Sequence, residues 1–225
     1  IETKDHQDDL KSLVKECHKR GFQFLLYMGY LLAQPTPEWD PYSNEVLVLP
    51  SQGEYIRQVP FQKDYAVCYQ SPWQNCIADA IDRWMTKYDI DGVYLDGTES
   101  PWACANTSHG CGYTKPDGTT APTYSFAGAR DMVRRIYAIV KSHKPDGQVN
   151  IHNSAVMTTP TFGWATSTWD GEQFGAIPRG ANVDTLFPLD AFRAEFMGRQ
   201  WGPPSELLCY GIPYTQHEAF SFSLL

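Results

Sequence analysis

The stretch Asp91-Gly92-Val93-Tyr94-Leu95-Asp96-Gly97 sets a short apolar run between two aspartate–glycine steps. A run of this length bounded by turn residues predicts a buried strand. Asp96 stands at its carboxyl end, and Gly97 lets the chain turn sharply behind it. Upstream, Ile77, Ala80, Ile81, Trp84, Met85 and Tyr88 recur at helical spacing. Downstream, residues 97–123 read as a long loop, and Phe126, Ala129, Val133, Ile136, Tyr137 and Val140 mark a second helix. Lys141, His143, Lys144 and then Pro145-Asp146-Gly147 end it. Val149-Asn150-Ile151-His152-Asn153 is the next strand.

The same alternation extends both ways. Toward the amino end, Leu10, Leu13, Val14 and Cys17 form an amphipathic helix that should stop at Gly21, followed by a strand over 22–28 and a proline-punctuated stretch over 34–71. Connections that long inside a domain are usually functional. Toward the carboxyl end come a strand at Ala165-Thr166-Ser167-Thr168-Trp169, a helix near Leu189, Phe192 and Phe196, and a strand at Glu206-Leu207-Leu208-Cys209-Tyr210. Strands alternating with helices predict an α/β fold with a parallel sheet. A doubly wound sheet would carry a glycine-rich turn after its first strand, and none is present. A TIM-type (β/α)8 barrel places its chemistry on loops at the carboxyl ends of the strands, where the long loops and polar residues fall here. About five strands are legible where eight are needed. The chain opens on a helix and ends at Ser223-Leu224-Leu225 without a capping one. The expectation is one domain over residues 1–225, an incomplete barrel from the centre of a larger catalytic domain.

Composition narrows the function classes. The chain has 225 residues, 18 Lys+Arg against 26 Asp+Glu, and a formal net charge of −8. Nucleic-acid binders carry a basic stripe, so that class is disfavoured. No apolar run is long enough to span a membrane, and no signal peptide opens the chain, so it reads as a mature or truncated product. There is no G-x-S-x-G elbow, P-loop, H-E-x-x-H or dinucleotide fingerprint, and no cofactor is called for.

Six cysteines stand at 17, 68, 76, 104, 111 and 209, four of them in the short-spaced pairs Cys68/Cys76 and Cys104/Cys111. Neither spacing is the C-x2-C of a zinc ribbon or redox motif. A Cys104–Cys111 disulfide is the expectation; free thiols, or a metal held with the intervening His109, are the alternatives. Asn106-Thr107-Ser108 is an N-glycosylation sequon in the same loop. Together these features favour an oxidising compartment, extracellular or periplasmic.

Acidic strand ends beside tryptophan-rich loops point to sugar chemistry. Glycoside hydrolysis needs two carboxyl groups flanking the bond, one protonated at the start. Asp96 supplies one. The second group is Thr168-Trp169-Asp170-Gly171-Glu172, two strands further on. Trp169 offers an apolar wall that would raise a neighbouring carboxyl pKa. The roles expected are Asp96 as nucleophile and Glu172, or failing that Asp170, as acid/base. Glu99 is a rival acid: in an Asp-x-x-Glu, Asp96 could orient a substrate acetamido group while Glu99 protonates the leaving oxygen. His152 and Asn153 are donors to sugar hydroxyls, His109 sits among glycines that let a ligand approach, and Tyr27, Tyr30, Trp73, Trp102, Trp164 and Trp169 offer faces for sugar rings. Singly, each of these also fits a bland role in packing, capping or solvation.

The segments "HKRGFQFLLYMGY", "DGVYLDGTESPWACANTSHGCGY" and "TWDGEQF" resemble a group of uncharacterised barrel proteins related to glycoside hydrolase family 123, over roughly positions 8–220. That resemblance implies a barrel catalytic domain preceded by a β-rich domain, and substrate-assisted retention on N-acetylgalactosaminides through an adjacent Asp-Glu pair. Here Asp96 is followed by Gly97, and the nearest glutamate is Glu99. The "YLD" context also resembles retaining α-glycosidases of the barrel type, whose nucleophile ends the fourth strand and whose acid/base follows the sixth. Both resemblances imply a carbohydrate substrate. A non-catalytic carbohydrate-binding or matrix protein is the second class, since fold alone does not give function. A metal-dependent hydrolase using His109, His152, Asp96 and Asp170 is the third.

Overall fold

The computed structural model describes residues 6–50, 62–98, 101–153, 158–172, 185, 188–196 and 202–207. Five short strands form its central sheet: β1 (Leu25–Met28), β4 (Gly92–Leu95), β9 (Gln148–His152), β10 (Ser167–Asp170) and β11 (Ser205–Leu207). They lie in that spatial order and every pair is parallel. The order never reverses, so the sheet has no switch point of the doubly wound kind. Right-handed crossovers in one direction put the connecting helices on one face. Accordingly, α1 (Gln7–Lys19), α3 (Trp73–Tyr88), α4 (Phe126–His143) and α5 (Thr159–Phe162) pack successively against one another, and α6 (Leu189–Phe196) covers β11.

Most of the two predicted helical stripes is core; of their residues Phe126 is exposed, and Ala80 and Tyr137 are partly buried. In α3, Trp73, Ile77, Ile81, Trp84, Met85 and Tyr88 are buried; in α4, Ala129, Met132, Val133, Ile136 and Val140 are. They close over Val93, Leu95, Val149 and Ile151, which strand alternation points to the same side. Burying each large aliphatic side chain contributes roughly 1.5–3 kcal/mol.

At the entry end of the strands one ionic cluster ties three layers together. Asp91 accepts hydrogen bonds from His18 Nε2, the Phe24 backbone and Lys144 Nζ, each at 2.7 Å. Burial alone would raise the Asp91 carboxyl, but these donors overrule it and hold the group below the usual carboxylate range.

Among the described residues the sheet has five strands, the number legible in the sequence, and does not close, with β1 and β11 at its edges. A closed barrel needs eight strands with a fixed shear. The long "loops" also hold structure of their own. Residues 34–71 contain α2 (Trp39–Val46) and β3 (Asp64–Ala66), the latter pairing antiparallel with β2 (Leu31–Ala33). Residues 97–123 contain β5 (Ala103–Cys104), β6 (Tyr113–Thr114) and β7 (Thr120–Ala121), and β8 (Thr123–Tyr124) follows; β5 pairs with β8 and β6 with β7, both antiparallel. No described helix is long and apolar enough to cross a membrane.

Candidate functional site

Register decides which side chains meet. Tyr27 lies opposite Tyr94, Tyr94 opposite Asn150, and Trp169 opposite both His152 and Glu206. These residues project from the sheet face away from the helices. Of these, Tyr27, Tyr94, Asn150, Trp169 and Glu206, together with Ser167, line a groove of ≈ 530 Å³. The Tyr94 and Trp169 rings lie 4.5 Å apart between centroids, and Tyr27 lies 5.5 Å from Tyr94 on its other side. An aromatic strip with polar groups between its rings suits a flat, hydroxyl-rich ligand.

Asp96 continues the alternation of Gly92 and Tyr94 onto this face. Its backbone N–H donates to Met28 O at 2.9 Å, and its Oδ2 accepts from Tyr27 Oη at 2.7 Å. Gly97 makes the turn with φ +73, and the Tyr30 ring occupies the place where its Cβ would be. His152, at the end of β9, stands between two carboxylates: its Nδ1 is 4.0 Å from Asp96 Oδ1, and its Nε2 is 3.0 Å from Glu172 Oε2. In the tautomer that carries its hydrogen on Nε2, the ring donates to Glu172 Oε2 and its Nδ1 accepts from Tyr94 Oη. Those contacts and the width of one ring bound the nearer carboxylate oxygens to within ~10 Å, a limit that takes in both the ~5–5.5 Å of retaining and the ~6.5–9.5 Å of inverting carboxyl pairs.

The other sequence candidates divide. Asp170 has the opposite strand parity from Trp169 and is 1% exposed; its Oδ1 accepts from Gly171 N at 2.7 Å. Its neighbour is Glu195 of α6, whose carboxyl is pushed above its ordinary value by burial and then by the hydrogen bond and charge of Asp170. Sequence reasoning missed Glu195. The signal was there: Glu195 falls on the buried stripe of α6 between Phe192 and Phe196. Asn153 is buried, its backbone N–H donating to Trp169 O at 2.7 Å. Trp73 is a core residue and Trp164 packs on Tyr137. Trp102 lies against Tyr30, beside the turn that carries Asp96. Glu99 lies outside the described residues.

The expected Cys104–Cys111 disulfide is corrected. Both thiols are free, as are Cys17, Cys68 and Cys76. The closer neighbour of Cys111 is Cys68, distant in sequence, with the two sulfurs 3.5 Å apart, far beyond the ~2.05 Å of a disulfide. His109 joins this thiol group rather than Asp96. A hydrogen bond from Cys68 holds the Cys104 thiol down to about 5, while the same contact and burial push Cys68 up. Asn106 of the sequon is 7% exposed, its Oδ1 accepting from the backbone N–H and hydroxyl of Ser108.

No family model matches the chain, family 123 included, and no curated protein matches it. Solved structures do resemble it. An α-amylase from Geobacillus thermoleovorans complexed with acarbose superposes with a TM-score of 0.51 at 20% identity, over 88% of this chain and 43% of that one. A cycloisomaltooligosaccharide glucanotransferase from Paenibacillus sp., complexed with cycloisomaltoheptaose, gives 0.55 at 12% identity over 89% and 28%. A noncanonic maltogenic α-amylase from Thermotoga neapolitana gives 0.52 at 13% identity over 88% and 40%. The chain spans less than half the length of each. The likeness is one of fold, to part of a TIM-barrel glycosidase.

Proposed function

We propose that this chain carries the active site of a retaining glycoside hydrolase, with Asp96 as nucleophile and Glu172 as acid/base. The observation behind the reading is the His152 ring, at the end of β9, set between two carboxylates that follow the flanking strands β4 and β10, beside an aromatic groove. In the first step an Asp96 oxygen attacks the anomeric carbon while Glu172 gives its proton to the departing glycosidic oxygen. In the second, Glu172 takes a proton from water, which displaces Asp96 and restores both groups. Tyr27, donating to Asp96 Oδ2, steadies the ionised nucleophile. His152, donating to Glu172, orients the acid/base. Asp170 is turned toward Glu195, which favours Glu172 for that role. The carbohydrate ligands of the enzymes that share the fold support an oligo- or polysaccharide substrate.

The test is an aryl glycoside screen, with NMR of the first-formed anomer and azide rescue of two variants. Glu172→Ala with azide should yield a glycosyl azide of retained configuration, and Asp96→Ala one of inverted configuration. Activity that survives Asp96→Ala, or an inverted first product from the unaltered chain, overturns the assignment. The substrate-assisted alternative, in line with the family 123 resemblance, keeps Asp96 as orienting residue and makes Glu99 the acid. Loss of activity in Glu99→Gln but not in Glu172→Gln would select it.

A further inference from the structure

We propose that Cys68, Cys104, His109 and Cys111 form a closed tetrahedral site for a zinc-class divalent metal, separate from the Asp96–His152–Glu172 group. One ligand atom from each residue lies within 4.8 Å of all the others. A tetrahedron with metal–sulfur bonds of ~2.3 Å and a metal–nitrogen bond of ~2.0 Å has edges of about 3.5–3.8 Å. Cys68 and Cys111 are already at that spacing, 3.5 Å apart. The cluster therefore needs only a small contraction.

Three further observations favour a metal over its rivals. Three buried thiols meet here, with Cys68, Cys104 and Cys111 exposed by 2%, 0% and 2%, so one disulfide would leave an odd sulfur in the group. Among the described residues, both ring nitrogens of His109 are buried without a hydrogen-bond partner. A buried polar atom left unsatisfied is costly, and a bond to metal would relieve one nitrogen. The backbone N–H of Asn106 donates to Cys104 Sγ at 3.4 Å, as amides do around metal-bound thiolates. Three sulfurs and one imidazole suit zinc, and four protein ligands leave no open position for catalysis. Binding is an acid–base exchange: the thiols release protons to solvent as the metal enters, with no change of oxidation state.

The connectivity gives the site its purpose. Cys68 follows β3 in the first excursion from the sheet, whereas Cys104, His109 and Cys111 belong to the second. The metal would staple the two, holding the segment that carries Trp102 against Tyr30 and the Asp96 turn.

The experiment uses the full chain, purified under reductant, with elemental analysis and then Co2+ titration after chelator stripping. Expected are one zinc per chain and a cobalt spectrum with intense tetrahedral bands and thiolate charge transfer, reversed by Zn2+. Cys104→Ser, Cys111→Ser and His109→Ala should each weaken Co2+ binding by on the order of tenfold or more, His109→Cys should retain it, and Cys76→Ser should leave it unchanged. The His109 pair keeps the test decisive should a cysteine variant fail to fold. Absence of stoichiometric metal, an octahedral cobalt spectrum, or a disulfide between any two of Cys68, Cys104 and Cys111 in a non-reducing peptide map overturns the proposal.

Discussion

Asp96 draws its setting from residues far away in sequence. Tyr27 reaches it from β1 and His152 from β9, so the site exists only once three strands are in register. On the proposed mechanism Asp96→Ala should abolish turnover of an aryl glycoside, because the group that forms the glycosyl–enzyme bond is gone. Tyr27→Phe removes one hydrogen bond to a charged acceptor; because the ring is 55% exposed, the loss should be about tenfold, near the lower end of the ~1.5–3 kcal/mol range for such bonds. The place of Asp96 at a strand end was legible from the short apolar run it closes, whereas its contacts with Tyr27 and His152 were not. Glu172 was legible only as a member of a cluster. Cys68 was not, since spacing along the chain paired it with Cys76 whereas folding brings it to Cys111.

Among the elements, α3, β4, α4 and β9 were legible because their apolar residues carry a clear period and bury one continuous face. The two-residue strands β5 to β8 carry no period, and β2, α2 and β3 are short pieces held by tertiary contacts, so the same reading merges them into loops. At the entry end, the Asp91 cluster joins α1, α4 and β4 in a way that acid should undo. Because the folded-state carboxyl is lowered, its stabilisation is fully present above about pH 4 and is lost as pH falls through the lowered value. Asp91→Asn should cost about 2–3 kcal/mol at neutral pH and flatten the acid limb of the stability curve, as denaturant melts at several pH values would record.

Across the whole molecule, stability is concentrated where β4 and β9 lie under α3 and α4. Ile136→Ala, at a fully buried position, should cost about 2–5 kcal/mol in a denaturant titration. Native-state hydrogen exchange should find the β9 amides slowest and the β6–β7 hairpin, exposed on both its strands, among the fastest. Gly92 marks the boundary of the tight region. A Cβ there would sit 1.9 Å from the Gln148 backbone oxygen, on the neighbouring strand where no rotamer change can yield. The entry end is thus pinned by backbone against backbone, while the exit end carries the long excursions. Over evolutionary time the two ends should drift at different speeds. Substitutions near Gly92 would be purged for foldability, and insertions after β4 would be accepted, letting descendants change what they recognise while inheriting the same frame.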